Sequence, residues 1–314
     1  MIKIEAMKEY KSGLYRILFV AGVFAVAAIF VPRFIHPMNM INLIRHIFLL
    51  CLLGYGMSLS MMIGGLDLSI GSVAALSSVF AATVIATGNV FLGVLTGIAI
   101  GGVLGFLNGF MISKFKLPDF IMTFSMMYIA RGLALTYTQG QAIYNFPDSF
   151  TWLGKGFLWH IPVPAILSLG VLSIMIFLLH KTVFGRGLYA VGAGKEAARY
   201  TGINVRKKIT QVYALSGLLA GLAGLIFISR LNSASAEMGE NWPLEAIAVC
   251  VIGGVSFSGG EGKIVGLLLG GVVMAVISNC INLLGIPPRF QDFFTGFVII
   301  VAVAVDHYTK RQEA

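Results

Sequence analysis

The chain has 314 residues, of which 58% are apolar and only 11% charged, and its mean hydropathy is +0.90. Soluble domains carry about 25% charged residues, so a soluble globular fold is excluded. The formal charge of +9 does not call for nucleic acid, because it comes from an uneven distribution of Lys and Arg between loops, set out below.

Runs of about 20 apolar residues, each long enough to cross a ~30 Å hydrocarbon core, recur from end to end. They predict an all-α polytopic membrane protein of about ten spans: 14–31, 41–62, 69–87, 90–113, 118–136, 163–180, 210–229, 244–260, 264–285 and 290–306. No soluble domain is appended, so residues 1–314 read as one transmembrane domain. The first span contains Ala25-Val26-Ala27, a signal-peptide-like site. The apolar run continues through Val31, so an uncleaved anchor is expected.

Between spans two and three stands Gly64-Gly65-Leu-Asp67-Leu-Ser69-Ile-Gly71. An acid near hydrocarbon is costly unless paired or hydrated. The glycines permit a bend, and Asp67 is suited to accept backbone N–H bonds in a turn; a functional acid is the competing reading. The third and eighth spans are rich in Gly and Ser and are the candidates for broken or re-entrant segments.

Asn108 in span four, Thr123 in span five, and Asn279 and Asn282 in span nine are uncharged polar residues within apolar stretches. They are suited either to lining a hydrated path or to hydrogen bonding between helices. Arg131 in span five and Arg45 in span two are expected to face protein or water, with Glu237, Glu240 and Glu245 as possible partners of Arg131. The outer loop 137–162 holds Trp152 and Trp159, which suit an interface.

The inner loop 181–209 carries seven basic residues and one acid. Its centre runs Lys195-Glu196-Ala197-Ala198-Arg199-Tyr200-Thr201, followed by Gly202, and predicts a short helix stopped by glycine. Glu196 falls in the first turn, where its charge suits the helix dipole. Small Ala197 and Ala198 would let a partner's groove close on such a knob. Gly192-Ala-Gly194-Lys-Glu-Ala197 fits a dinucleotide pattern without a βαβ unit around it, and Gly262-Lys263 lacks the rest of a P-loop. Neither is a nucleotide site.

Gly97-Ile-Ala-Ile-Gly101-Gly102-Val in span four echoes Gly266-Leu-Leu-Leu-Gly270-Gly271-Val in span nine. Each is the fourth span of a set of five, as two inverted repeats would require, although Gly-x-x-x-Gly is also a common packing motif. Cys51, Cys250 and Cys280 all lie in spans and read as small packing residues.

Orientation follows from the basic residues. With the N-terminus inside, inner segments hold sixteen Lys and Arg, among them Lys3, Lys8, Lys11, Arg16, Lys310 and Arg311, and outer segments hold four: Arg33, Lys155, Arg230 and Arg289. Both termini are therefore expected in the cytoplasm.

Taken together, these motifs resemble the permease subunits of ribose-type ABC importers. The resemblance rests on Gly64-Gly-Leu-Asp67-Leu-Ser69-Ile-Gly71-Ser-Val-Ala-Ala75, Phe120-Ile-Met-Thr123, Arg131-Gly132 and Ala190-Val-Gly192. It continues in Glu196-Ala-Ala-Arg-Tyr-Thr-Gly202-Ile-Asn204, Ile252-Gly-Gly, Gly260-Glu-Gly262-Lys-Ile-Val-Gly266 and Asn282-Leu-Leu-Gly285. It implies ten spans and a pair of such subunits, as homodimer or heterodimer in the cytoplasmic (inner) membrane. It further implies a separate cytoplasmic ATPase that holds ATP and Mg, and an extracytoplasmic protein that delivers a monosaccharide or related polyol. The helix around Glu196–Gly202 would then be the coupling helix, with no cofactor, metal or covalent chemistry on this chain. A secondary carrier driven by an ion gradient is the alternative; it would need coupling acids deep in spans, and almost every acid here lies at a span end or in a loop. An intramembrane enzyme would need a nucleophile and a base, and no such pair stands out.

Overall fold

The computed structural model describes residues 17–287, 290–297 and 299–300. The N-terminal cations Lys3 to Arg16, Arg289, Lys310, Arg311, both termini and the end of the tenth span lie outside them.

Prolines and polar caps cut the apolar sequence into helices. After α1 (Ile17–Phe30), Pro37 opens α2 (Pro37–Met62); proline suits this position because its missing N–H would go unbonded there. α3 (Ile70–Ala86) follows a seven-residue linker. Asn89 caps α4 (Val90–Phe115), its side chain accepting from Leu92 N–H at 3.0 Å. Pro118 precedes α5 (Asp119–Thr138).

The loop expected at 137–162 is partly built. It holds β1 (Ile143–Tyr144), α6 (Asp148–Lys155) and a hairpin of β2 (Phe157–Leu158) with β3 (Ile161–Pro162). β1 pairs antiparallel with β4 (Ser233–Ala234), which ties this loop to the far end of α10. Trp159 is 91% exposed at the hairpin tip.

α7 (Val163–Lys181) leads into the basic segment, where structure exceeds expectation. Besides the predicted short helix, now α9 (Lys195–Tyr200), there is α8 (Val183–Ala193), and α10 (Val205–Leu231) begins five residues before the expected span. Local capping explains both gains. Thr182 accepts from Phe184 N–H at 3.1 Å to start α8, and Asn204 accepts from Lys207 N–H at 3.0 Å to start α10.

The eighth span, expected to reach residue 260, is corrected to α11 (Trp242–Gly253). Gly254 takes a left-handed conformation (φ +85°), and the Gly- and Ser-rich stretch after it runs as a loop to a 3-10 turn at Ile264–Gly266. α12 (Leu267–Leu283) follows, and residues 290–297 and 299–300 are helical. Six helices among the described residues are long and apolar enough to cross a membrane; α1, α3 and α11 are shorter.

The core forms around α10 and α2. α10 packs on α4, α3 and α2, and α2 packs on α12 and α11. The α4–α10 seam is backbone on backbone: a Cβ added at Gly101 would lie 2.3 Å from Gly217 O, and one at Gly105 would lie 2.2 Å from Tyr213 O. Small residues let membrane helices approach this closely and gain dispersion energy along their length.

Candidate functional site

The linker between α2 and α3 carries a connected set of polar bonds inside the protein. Asp67 is 1% exposed. Its Oδ1 accepts from Ser69 N–H at 3.1 Å and from Ser69 Oγ at 2.6 Å, and its Oδ2 accepts from Ser216 Oγ of α10 at 2.7 Å. Asn108 of α4 donates through Nδ2 to Ser69 Oγ at 2.8 Å, which extends the chain to a third helix. Asp67 thus accepts a backbone N–H as a turn requires, with a side-chain network added to it. In a dry interior, where an unmade bond is costly, such a network fixes the linker in one conformation.

One residue earlier, Leu66 is held from both sides. Its N–H donates to Asp119 Oδ2 at 2.7 Å, and its carbonyl accepts from Tyr213 Oη at 3.3 Å and Thr123 Oγ1 at 3.2 Å. Gly65 must be small: a Cβ there would lie 2.6 Å from Tyr213 Oη. Asp119, Tyr213 and Ser216 were not singled out from the sequence. Their available signals were an acid directly after Pro118 at a helix start, and polar groups three apart on one face of α10.

At its other end the same linker meets two distant motifs. Gly260 N–H donates to Met62 O at 2.9 Å. A Cβ at Gly192 would lie 1.9 Å from Met62 O and 2.5 Å from Gly260 N, and one at Gly259 would lie 2.8 Å from Gly64 N. Tyr189 Oη donates to Gly262 O at 3.0 Å. The segments Gly64-Gly65, Ala190-Val-Gly192 and Gly260-Glu-Gly262 therefore touch through their backbones, although they are far apart in the chain. Gly71 makes a comparable contact at the start of α3, where a Cβ would lie 1.9 Å from Gly239 O in the linker before α11.

α9 projects from this junction. Thr201 N–H bonds Ala197 O and Gly202 N–H bonds Arg199 O; Gly202 has φ +83°, so the expected glycine stop is present. Glu196, Ala197 and Arg199 are exposed, and Tyr200 is 90% exposed. Ala198 is only 3% exposed and packs inward against its own chain. Of the two alanines expected to meet a partner, Ala197 alone is exposed.

The remaining polar residues are distributed as follows. Asn108 and Thr123 are fully buried and bonded as described. Asn279 exchanges a reciprocal amide pair with Asn39 at 2.9 and 2.8 Å, joining α12 to α2. Asn282 is exposed. Arg131 donates to the carbonyls of Ala236 and, at 2.8 Å, Met238, and so anchors the linker before α11. Gln291 Nε2 donates to Glu245 Oε1 at 2.9 Å, and Asn241 Nδ2 donates to Asp292 Oδ1 at 2.6 Å. Cys51 and Cys250 are buried and free, consistent with packing roles.

Residues 39–303 match the family described as branched-chain amino acid transport system / permease component. The ribose import permease protein of Bacillus subtilis is 41% identical over 284 residues, covering 90% of this chain and 88% of that protein. The ribose import permease protein of Escherichia coli K12 is 35% identical over 288 residues, covering 90% of each. The L-arabinose ABC transporter permease protein of Azospirillum brasilense is 34% identical over 303 residues, covering 96% of this chain and 89% of that one. No solved structure gives a significant match. Length, coverage and the apolar helices agree with a multi-pass protein of the cytoplasmic (inner) membrane. The chain belongs to this permease family and, within it, to the ribose-type permeases of ABC importers.

Proposed function

We propose that this chain is the membrane subunit of an ATP-driven importer that passes a monosaccharide or related small polyol across the cytoplasmic membrane. The observation that carries this reading is mechanical continuity. The exposed α9 is one residue beyond α8, whose Gly192 rests on the last carbonyl of α2. From there the chain enters the linker whose Leu66 and Asp67 are clamped by α5, α10 and, through Ser69, α4. A push on α9 reaches several membrane helices at once through these contacts.

On this reading a separate cytoplasmic ATPase, holding ATP and Mg, receives α9 within the loop 181–209. Glu196, Ala197, Arg199 and the Gly202 stop form the contact, and Ala198 holds the knob on its own scaffold. A second permease subunit, identical or not, completes the path, and an extracytoplasmic binding protein delivers the sugar. The chain needs no ATPase site or cofactor of its own. Residues 1–314 act as one transmembrane domain with both termini in the cytoplasm. Asn282, exposed in α12, is the pathway candidate among the polar residues; Asn108, Thr123, Arg131 and Asn279 act as struts that keep the path in register.

Ten spans in two inverted sets of five fit the packing pattern. Span four (α4) lies on spans three and seven (α3, α10), and span nine (α12) lies on spans eight and two (α11, α2). Adding five to each number, and wrapping around at ten, turns the first set of contacts into the second. The α3–α10 contact likewise has its counterpart in α11–α2.

Glu196→Lys should reduce ATP-dependent uptake in membrane vesicles by at least about tenfold while insertion and abundance stay normal, because reversing a rim charge disfavours docking. Normal uptake by that variant would remove α9 from the coupling role.

A further inference from the structure

We propose that Arg45 and Arg230 form a phosphate-binding site for the headgroup of an anionic phospholipid, in the leaflet on the α6 side of the membrane. The two residues come from packed helices, α2 and α10, and both stand at the last turn of α6, Arg45 through its guanidinium and Arg230 through its backbone. Arg45 Nη2 donates to the Lys155 carbonyl, and its guanidinium stands over the Phe157 ring with 5.0 Å to the centroid. Gly154 lies directly against the backbone of Arg230; a Cβ there would be 2.3 Å from Arg230 N.

Both residues are half-buried, at neighbouring positions along α6. Among the described residues neither has a carboxylate partner. Among the described residues Arg45 Nε is buried with no hydrogen-bond acceptor, and the Arg230 side chain donates to no protein group. The negative end of the α10 dipole and one α6 carbonyl offset part of this charge, but two cations drawn together at the edge of hydrocarbon still need an anion. A fork of guanidinium donors fits the oxygens of a phosphodiester.

The surroundings select a lipid as the source. The adjoining hairpin exposes Phe157, Leu158, Trp159 and Ile161, with Trp152 beside them on α6. Such an aromatic and aliphatic rim belongs at the headgroup level, with acyl chains below it. Inorganic phosphate offers the same oxygens without the chains.

The test is native mass spectrometry of the full-length chain, stripped of bulk lipid in detergent and titrated with phosphatidylglycerol, diacylglycerol or inorganic phosphate. One phosphatidylglycerol should be retained, and diacylglycerol with the same chains should bind far more weakly. Arg230→Gln should weaken phosphatidylglycerol about fivefold and Arg230→Lys by less, with no loss of thermal stability because the side chain makes no hydrogen bond among the described residues. Arg45→Gln should weaken it too, but also loosens α6, so Arg230→Gln is decisive. Unchanged phosphatidylglycerol binding by a folded Arg230→Gln chain overturns the proposal. So does equal binding of diacylglycerol, or binding of inorganic phosphate with no phosphatidylglycerol retained.

Discussion

At the scale of single residues, the informative ones are those whose polar atoms are spent entirely inside the protein. Asp67 uses both oxygens on Ser69 and Ser216, and Ser69 in turn accepts from Asn108. Asp67→Ala would leave those hydroxyls without their acceptor in a dry interior, where an orphaned polar group costs about 1–3 kcal/mol. The expected outcome is a clear fall in the melting temperature of the detergent-solubilised chain. Asp67→Asn keeps one oxygen for Ser69 and presents an amide that Ser216 can accept from, so it should lose less. Equal losses in the two variants would mean that the carboxylate charge itself, not the bonding pattern, holds the linker. The turn-forming role of Asp67 was legible from its glycine neighbours. Its partner Ser216 was not, because 149 residues separate them and nothing in a hydropathy pattern pairs two such positions.

Among elements, the junction of α8 with the end of α2 matters most. Gly192 is required there by close approach: its Cβ position is occupied by backbone atoms of Met62 and Gly260, which cannot swing aside as a side-chain tip would. Gly192→Ala should destabilise the chain by about 1–3 kcal/mol through overpacking and depress ATP-driven uptake about tenfold or more by tilting α8 and α9 off the linker. Gly132→Ala in α5 is the control, since nothing lies within 4 Å of the added carbon and alanine favours the helix; uptake and melting should not fall. If the two substitutions behaved alike, the α8 contact would carry no mechanical load. The short helix α9 was readable from local chemistry, a helix-forming run closed by Gly202. α8 was missed because its apolar residues lay inside a strongly basic segment, and its start depends on one capping hydroxyl, Thr182. The overlong eighth span was a different error: hydropathy runs straight through Gly253 and Gly254, whereas the backbone turns there.

For the whole molecule, the subunit reading predicts dependence on partners. Purified alone, the chain should turn over no ATP above a no-protein control, and the tagged chain drawn from its own membranes in mild detergent should bring an ATPase in stoichiometric amount. ATP turnover by the chain alone, free of contaminants, would contradict a separate motor. Recovery of the chain alone from several mild detergents would favour transport driven by an ion gradient, measurable as uptake that follows the imposed gradient.

What the sequence determined by itself was everything governed by neighbours along the chain. Apolar runs marked the helices long enough to cross a membrane, and the helix-forming run closed by Gly202 marked α9, since a glycine stop acts through atoms within about one turn of itself. The tertiary structure alone decided which motifs meet and which way each side chain faces. It turned Ala198 inward, gave Arg131 the carbonyls of Ala236 and Met238, paired Asn39 with Asn279, and brought Gly64, Gly192 and Gly260 to one junction. Those outcomes depend on how glycine-lined helix faces close on one another over the full width of the bundle. That geometry is a property of packed backbones, and the order of apolar and polar residues does not encode it.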